Sequence, residues 1–302
     1  MAFKRILNTL CPYTEQPLVD ILIDLEHVLP AGLGAPKKFG VKASEKMNKF
    51  YNETIDEPFL CEPFIKFISA TTGVKSRSGK VNFSQKVRDE ILNEDVIVNF
   101  NSEAFTPKMM IPVKKGNDGE INAVIGYGDD AKNELDRLSK KLSLKGKVVV
   151  GKEYVQRESN PLKINISMDL NLLTLQLMKS AYLLAVYVFG DGVILSKQGK
   201  NVRTCLNNKL VENVKMQLEW SVLPVDLNPR VDKSIHTLFC FKTSDYICSN
   251  VCLFGNFKAS LFFEVNDNSL DDFSGGVFYL DFKKNKMEHK KFIEHLVEVS
   301  SN

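Results

Sequence analysis

The sequence is short of several things, and each shortage removes a class of explanation. Its 302 residues carry 40 Lys and Arg against 37 Asp and Glu, a net charge of only +3. A global excess that small makes no case for a polyanion partner, so any such case rests on local clustering. Six Cys in a chain of this length are not the disulfide framework of a small secreted protein, and reduced thiols are expected. No apolar run approaches the ~20 residues of a bilayer span; the densest, AYLLAVYVF, covers residues 181–189. The opening residues, MAFKRILNTLCPYTEQP, are too broken by polar groups for a signal peptide. A cytoplasmic protein that does not act at a membrane is therefore expected. No internal repeat or low-complexity tract is present. Hydrophobic residues at 44% and charged residues at 25% are ordinary for a globular chain.

What is present is densest near the N-terminus. Residues 18–27 alternate apolar and acidic positions and read as extended. A Pro- and Gly-punctuated loop follows, VLPAGLGAPKK. Residues 43–57 then read as helical, with Ser44 as N-cap and Pro58 as the stop. Beyond them, residues 96–100, 109–113, 122–126 and 147–150 read as short strands, with a turn at 114–120 and a surface helix at 130–142. Residues 170–189 are apolar almost all round and predict a buried helix ended by Gly190. Residues 209–219 read as helical. Strands are expected at 235–241, 246–254, 258–265 and 275–282, and a last amphipathic helix at 286–297. The fold class expected is α+β.

Glu26 and His27 close the first extended segment. Asn48 and Asn52 stand four apart on the following helix and so share a face. Strand, loop and helix can bring Glu26, Asn48 and Asn52 around one point. Such an oxygen-rich site suits Mg²⁺ or Mn²⁺ rather than zinc. A neutral His27 beside it could deprotonate water.

These residues carry a resemblance. DLEHVLPAGLG followed by KASEKMNKFYNETIDEPFL resembles the HNH endonucleases of the ββα-metal type. The resemblance implies a ββα-metal finger over residues 1–92, followed by a larger mixed domain over 93–302 with an antiparallel sheet and one buried helix. It implies His27 as general base, Glu26 as metal-binding acid, and Asn48 and Asn52 on the metal side of the helix. The activity implied is hydrolysis of DNA phosphodiesters with one divalent cation, in the manner of bacterial restriction or anti-phage enzymes. DNA is then the partner, and a protein partner or a homo-oligomer is compatible with it. The relatives usually hold a structural zinc in two Cys-x-x-Cys pairs. Here those positions read Cys11-Pro12-Tyr13-Thr14 and Ser44-Glu45-Lys46-Met47, and one thiolate cannot build a tetrahedral site. Packing of Tyr13, Leu18, Met47 and Phe50 is expected in its place. The Asn that orients the histidine in the family has no match in residues 39–41. These losses motivate a second reading, a weakened HNH-like module that binds nucleic acid or protein without turnover.

Residues 66–88 contain Lys66, Lys75, Arg77, Lys80, Lys86 and Arg88 and no acid. With Ser76, Ser78, Asn82 and Ser84 between them, Lys75, Arg77, Lys80, Lys86 and Arg88 are the candidate phosphate-backbone contacts. Gly126 and Gly128 lack the third Gly of a dinucleotide fingerprint. Cys248 and Cys252 read as a buried thiol pair, and His236, His289 and His295 as structural or solvated.

Overall fold

The computed structural model describes residues 7–76, 79–89, 94–102, 104–110, 113–115, 121–124, 128–144, 164–212, 214, 216–217, 234–264 and 274–300. The chain is α+β and divides into two units. One joins Met1–Val81 to Met168–Asn302, and the other is Asn82–Ser167. The division expected after residue 92 falls elsewhere for a simple reason. It would separate two strands, Phe83–Asp89 and Glu94–Asn101, that are hydrogen-bonded to each other along their length.

Of residues 18–27 in the first unit, expected to be extended, Leu18–Asp20 form a 3-10 turn instead, and only Ile23–His27 are a strand, β1. Strand β2 (Gly40–Ser44) pairs antiparallel with it, Glu26 opposite Val41 and His27 opposite Gly40. Helix α1 (Glu45–Tyr51) leaves β2 directly. Ser44 precedes it, but its side chain makes no capping bond. The helix widens into a π-helical turn at Asn52–Asp56, where Glu57 N–H bonds to Asn52 O, and continues as α2 (Glu57–Cys61); the backbone leaves the helical conformation at Glu62 (ψ 131°) before α3 (Pro63–Thr72) begins. Pro58 therefore does not stop the helix as expected. It sits in the first turn of α2, where its missing N–H is not called on. A small hairpin, β3 (Lys75–Ser76) and β4 (Gly79–Lys80), ends this segment.

In the second unit, β5 (Phe83–Asp89), β6 (Glu94–Asn101) and β7 (Ala104–Met110) form an antiparallel sheet. Strands β8 (Val113–Lys115) and β9 (Ile121–Val124) pair separately, and helix α4 spans Gly128–Ser143. Val87 and Val98 are buried with Phe100 and Ile164 packed on them. The strand expected at 147–150 and most of the turn at 114–120 lie outside the described residues.

The first unit resumes with α5 (Leu170–Phe189). Its N-terminus is capped by the Asp169 carboxylate, which accepts from Asn171 N–H and Leu172 N–H. By length and composition α5 could cross a membrane, contrary to the reading of its apolar run as too short; here most of it is buried inside the protein. Helices α6 (Asp191–Leu195) and α7 (Lys197–Asn208) follow. Six antiparallel strands complete the unit: β10 (Met216–Gln217), β11 (Ile235–Lys242), β12 (Tyr246–Leu253), β13 (Phe257–Glu264), β14 (Gly275–Asp281) and β15 (Lys286–Lys291), in the order β10-β13-β12-β11-β14-β15. Helix α8 (Phe292–Ser300) comes last. The core containing α5 lies on one face of the sheet, where Leu238, Cys240, Val251 and Leu261 point. Phe292 and Leu296 of α8 cover Phe239, Phe241 and Val277 on the other.

Two expected helices are corrected. Residues 286–291 are a strand because the backbone of β14 offers them a full ladder, and only residues 292–300 turn helical. The helix expected at 209–219 ends instead at Asn208. Lys209 takes a left-handed backbone (φ 55°), and β10 joins the sheet edge.

Candidate functional site

Along β1, alternation puts Asp24 and Glu26 on one face and Leu25 and His27 on the other. Helix α1 lies over the first face, where Asn48 Nδ2 donates to Asp24 Oδ2 at 2.7 Å. Glu26 is deeper, only 1% exposed. Lys179 of α5, also 1% exposed, reaches it from the core. Lys179 Nζ lies 2.6 Å from Glu26 Oε1, 2.8 Å from Asp56 Oδ1 and 2.7 Å from Asp56 Oδ2. Asp56 is the last residue of the π-helical turn. One ammonium thus holds a strand and a helical turn far apart in sequence.

Two carboxylates share this one buried cation. Burial pushes the Glu26 carboxyl up to about 7; Lys179 opposes the rise and the Asp56 carboxylate adds to it. Burial works against the Lys179 ammonium, but Asp56 and Glu26 outweigh it and hold its pKa above the ordinary value. Tyr13 is raised well above a free phenol by burial and then by the two carboxylates. Tyr13 Oη and Glu26 Oε2 are both buried and complete no hydrogen bond of normal geometry, yet they are close enough that the phenol lowers the Glu26 pKa and the carboxylate raises that of Tyr13.

The surrounding shell fastens the N-terminal segment to α5, α6 and α7. The Tyr13 and Tyr51 rings pack at 4.2 Å, and Tyr51 Oη donates to Asn207 Oδ1 at 2.5 Å. Tyr182 Oη donates to Pro12 O at 2.5 Å and accepts from Arg203 Nη1 at 3.1 Å. Arg203 also pairs with Glu15. The Asp191 carboxylate accepts from Thr9 N–H, Leu10 N–H and the Thr9 hydroxyl. Cys11 Sγ accepts the Ser44 N–H at 3.3 Å, which joins the segment at 11–14 to the start of α1 through one thiol and one amide.

Of the four residues expected around one cation, three have other partners. Glu26 is held by Lys179, Asn48 by Asp24, and Asn52 Nδ2 donates to Glu57 Oε1 at 2.7 Å. His27 is half-buried at the end of β1, on the opposite face to Glu26. Among the described residues, no group of three or more His, Cys, Asp or Glu could hold a metal ion. As placed, these side chains do not fit a divalent cation, because the carboxylate that would bind it already faces an ammonium. Of the packing expected in place of zinc, Tyr13 and Leu18 are buried and Met47 packs on the core, while Phe50 is exposed.

Lys75 and Lys80 stand opposite each other on β3 and β4 and are exposed, in the first unit. Lys86 and Arg88 are exposed on one face of β5, in the second. Arg77 lies outside the described residues. His236 is structural: burial holds its pKa down at about 3, Nε2 lies 3.2 Å from Leu33 O, and Nδ1 accepts the Phe254 N–H. Neither Lys179 nor Asp56 is among the candidate site residues read from the sequence. The signal was available, since Lys179 is the one charged residue in α5 and a buried charge needs a counter-charge. No family model, curated protein or solved structure matches this chain.

Proposed function

We propose that this chain is an HNH-like nucleic-acid-binding module whose hydrolytic centre is retired. The observation that carries the reading is the 2.6 Å approach of Lys179 Nζ to Glu26 Oε1. If Glu26 descends from the metal-binding acid of such enzymes, a lysine ammonium now supplies the positive charge that a divalent cation would supply. It does so permanently and without Lewis acidity toward a phosphate. The succession β1, β2, α1 and the Cys11–Ser44 contact support the scaffold part of the reading. The exposed basic positions Lys75 and Lys80 support the partner, DNA.

A second reading keeps the activity: a Mg²⁺- or Mn²⁺-dependent endonuclease, of restriction or anti-phage type, with His27 as base. It is favoured by one observation, that His27 ends β1 without being sealed in the core. A plasmid-nicking assay with each metal, run beside binding of labelled duplex, separates the two. Binding without nicking supports the first reading. Nicking by wild type that His27→Ala abolishes supports the second. Neither binding nor nicking removes both.

A further inference from the structure

We propose that the nucleic acid lies on a composite basic surface built from three segments remote in sequence: the β1–β2 loop, the β3–β4 hairpin and the β14–β15 turn. This rests on the nucleic-acid-binding reading above and names the face that does the binding.

The three segments converge on Phe282. Lys75 N–H donates to Phe282 O at 2.9 Å, which sets the β3–β4 hairpin beside the β14–β15 turn. Gly34, with φ +81°, lies so close to Phe282 that an added Cβ would sit 2.8 Å from its Cα. Beneath this junction the His236 ring packs 4.7 Å from Phe282 and Nε2 meets Leu33 O, so the loop and the turn share a buried anchor. The β14–β15 turn is itself fixed. Asp281 Oδ1 accepts from Lys283 N–H and Lys284 N–H, and Asp281 Oδ2 pairs with Lys284 Nζ at 3.0 Å.

Around the junction, Lys37, Lys38, Lys75, Lys80, Lys283 and Lys286 are all exposed. Residues 31–38, 75–80 and 282–287 contain no Asp or Glu; of the acids that flank the turn, Asp281 is paired with Lys284 and Glu288 is exposed. To the two lysines of the basic stretch that lie here, Lys75 and Lys80, the fold thus adds four from segments earlier and later in the sequence. A linear polyanion is the partner that rewards such a spread of point charges, by counterion release at each phosphate. A membrane surface is the less favoured source of negative charge. An interfacial site pairs its lysines with apolar side chains that enter the acyl boundary. None of the large exposed hydrophobic residues falls in these three segments.

The test is fluorescence anisotropy of a labelled duplex across a salt series. It uses full-length wild type and three double variants: Lys37→Ala with Lys38→Ala, Lys75→Ala with Lys80→Ala, and Lys283→Ala with Lys286→Ala. Each variant should bind more weakly and flatten the dependence of log K on log salt by roughly 0.9 for each phosphate that is no longer neutralised. Lys283→Arg with Lys286→Arg keeps the charge and should retain affinity, which separates the removal of charge from a disturbed turn. If wild type binds but only the Lys75/Lys80 variant weakens, or none does, the composite surface is overturned while the nucleic-acid reading stands. If wild type binds no nucleic acid, that reading fails as well. Binding to phosphatidylserine vesicles in place of duplex overturns the surface as drawn and assigns it to lipid.

Discussion

Lys179 Nζ stands 2.6 Å from Glu26 Oε1 in the interior of the first unit, and the same ammonium takes both oxygens of Asp56. A helix of residues 170–189 therefore holds a strand from residues 23–27 and a turn from residues 52–56 by charge rather than by apolar packing alone. Buried ions are costly to desolvate, and this pair is tolerable only while each keeps its partner.

Removing the cation should be far worse than removing one acid. Lys179→Met leaves two buried carboxylates without a counter-charge and should cost about 3–5 kcal/mol of stability. Glu26→Gln leaves Lys179 balanced against Asp56 and keeps an acceptor at the same place. It should cost no more than about 1.5 kcal/mol, the scale of one hydrogen bond. Urea unfolding of both variants measures the contrast, and equal losses would contradict the charge argument.

Glu26 also imposes a pH dependence. Its folded pKa of about 7 exceeds the ordinary 4.5, so the native state holds this proton more tightly than the unfolded chain. The stability it contributes is present in full below pH 4.5 and is lost as pH rises through 7. The stability difference between wild type and Glu26→Gln should therefore shift against wild type over that window. A difference that does not change with pH would mean the carboxyl is not desolvated as described.

His236 acts with the opposite sign. Its folded pKa of about 3 lies below the ordinary 6.5, so the native state excludes a proton that the unfolded chain accepts. Its contribution is present above pH 6.5 and is lost as pH falls toward 3. Unfolding measured between pH 7 and 4 for wild type and His236→Gln should show wild type losing its advantage on acidification. The two groups oppose each other between about pH 4.5 and 6.5, so neither is visible in the wild-type curve alone.

Much of the scaffold was legible in the sequence. The bounds of α5 follow from its apolar composition and Gly190, and β11 to β14 follow from their alternation. Helix continuation past Pro58 was not legible, because the π-helical turn that admits it is set by packing around Tyr51, Ile55 and Asp56. Strand β15 was not legible either, since its edge pairing to β14 overrides the local helical pattern. The candidate site failed for a related reason. Spacing puts Asn48 and Asn52 on one helix face, but it cannot reveal that Lys179, more than a hundred residues away, claims Glu26 first.

Chelation should leave the fold intact. Cys11 Sγ is engaged by the Ser44 N–H, and the apolar groups around it, Tyr13 and Leu18, are buried. Melting in the presence of EDTA and 1,10-phenanthroline should match melting in buffer. A fall of several degrees would reveal a structural metal and restore the knuckle as an ionic device.

Gly34 tests the junction beneath the lysines without touching any charge. Its φ of +81° lies in the left-handed region, and a Cβ there would meet the backbone of Phe282 at 2.8 Å. Gly34→Ala should thus cost more than about 1 kcal/mol, since neither the backbone conformation nor the space suits a side chain. It should also push residues 31–38 away from the β14–β15 turn and weaken duplex binding with every lysine still present. Gly192→Ala is the matched control. It lies in α6 with nothing within 4 Å of the added Cβ, and should be neutral or stabilising by up to about 1 kcal/mol. If Gly34→Ala destabilises the protein yet leaves the salt dependence of binding unchanged, the loop and the turn meet for structural reasons only.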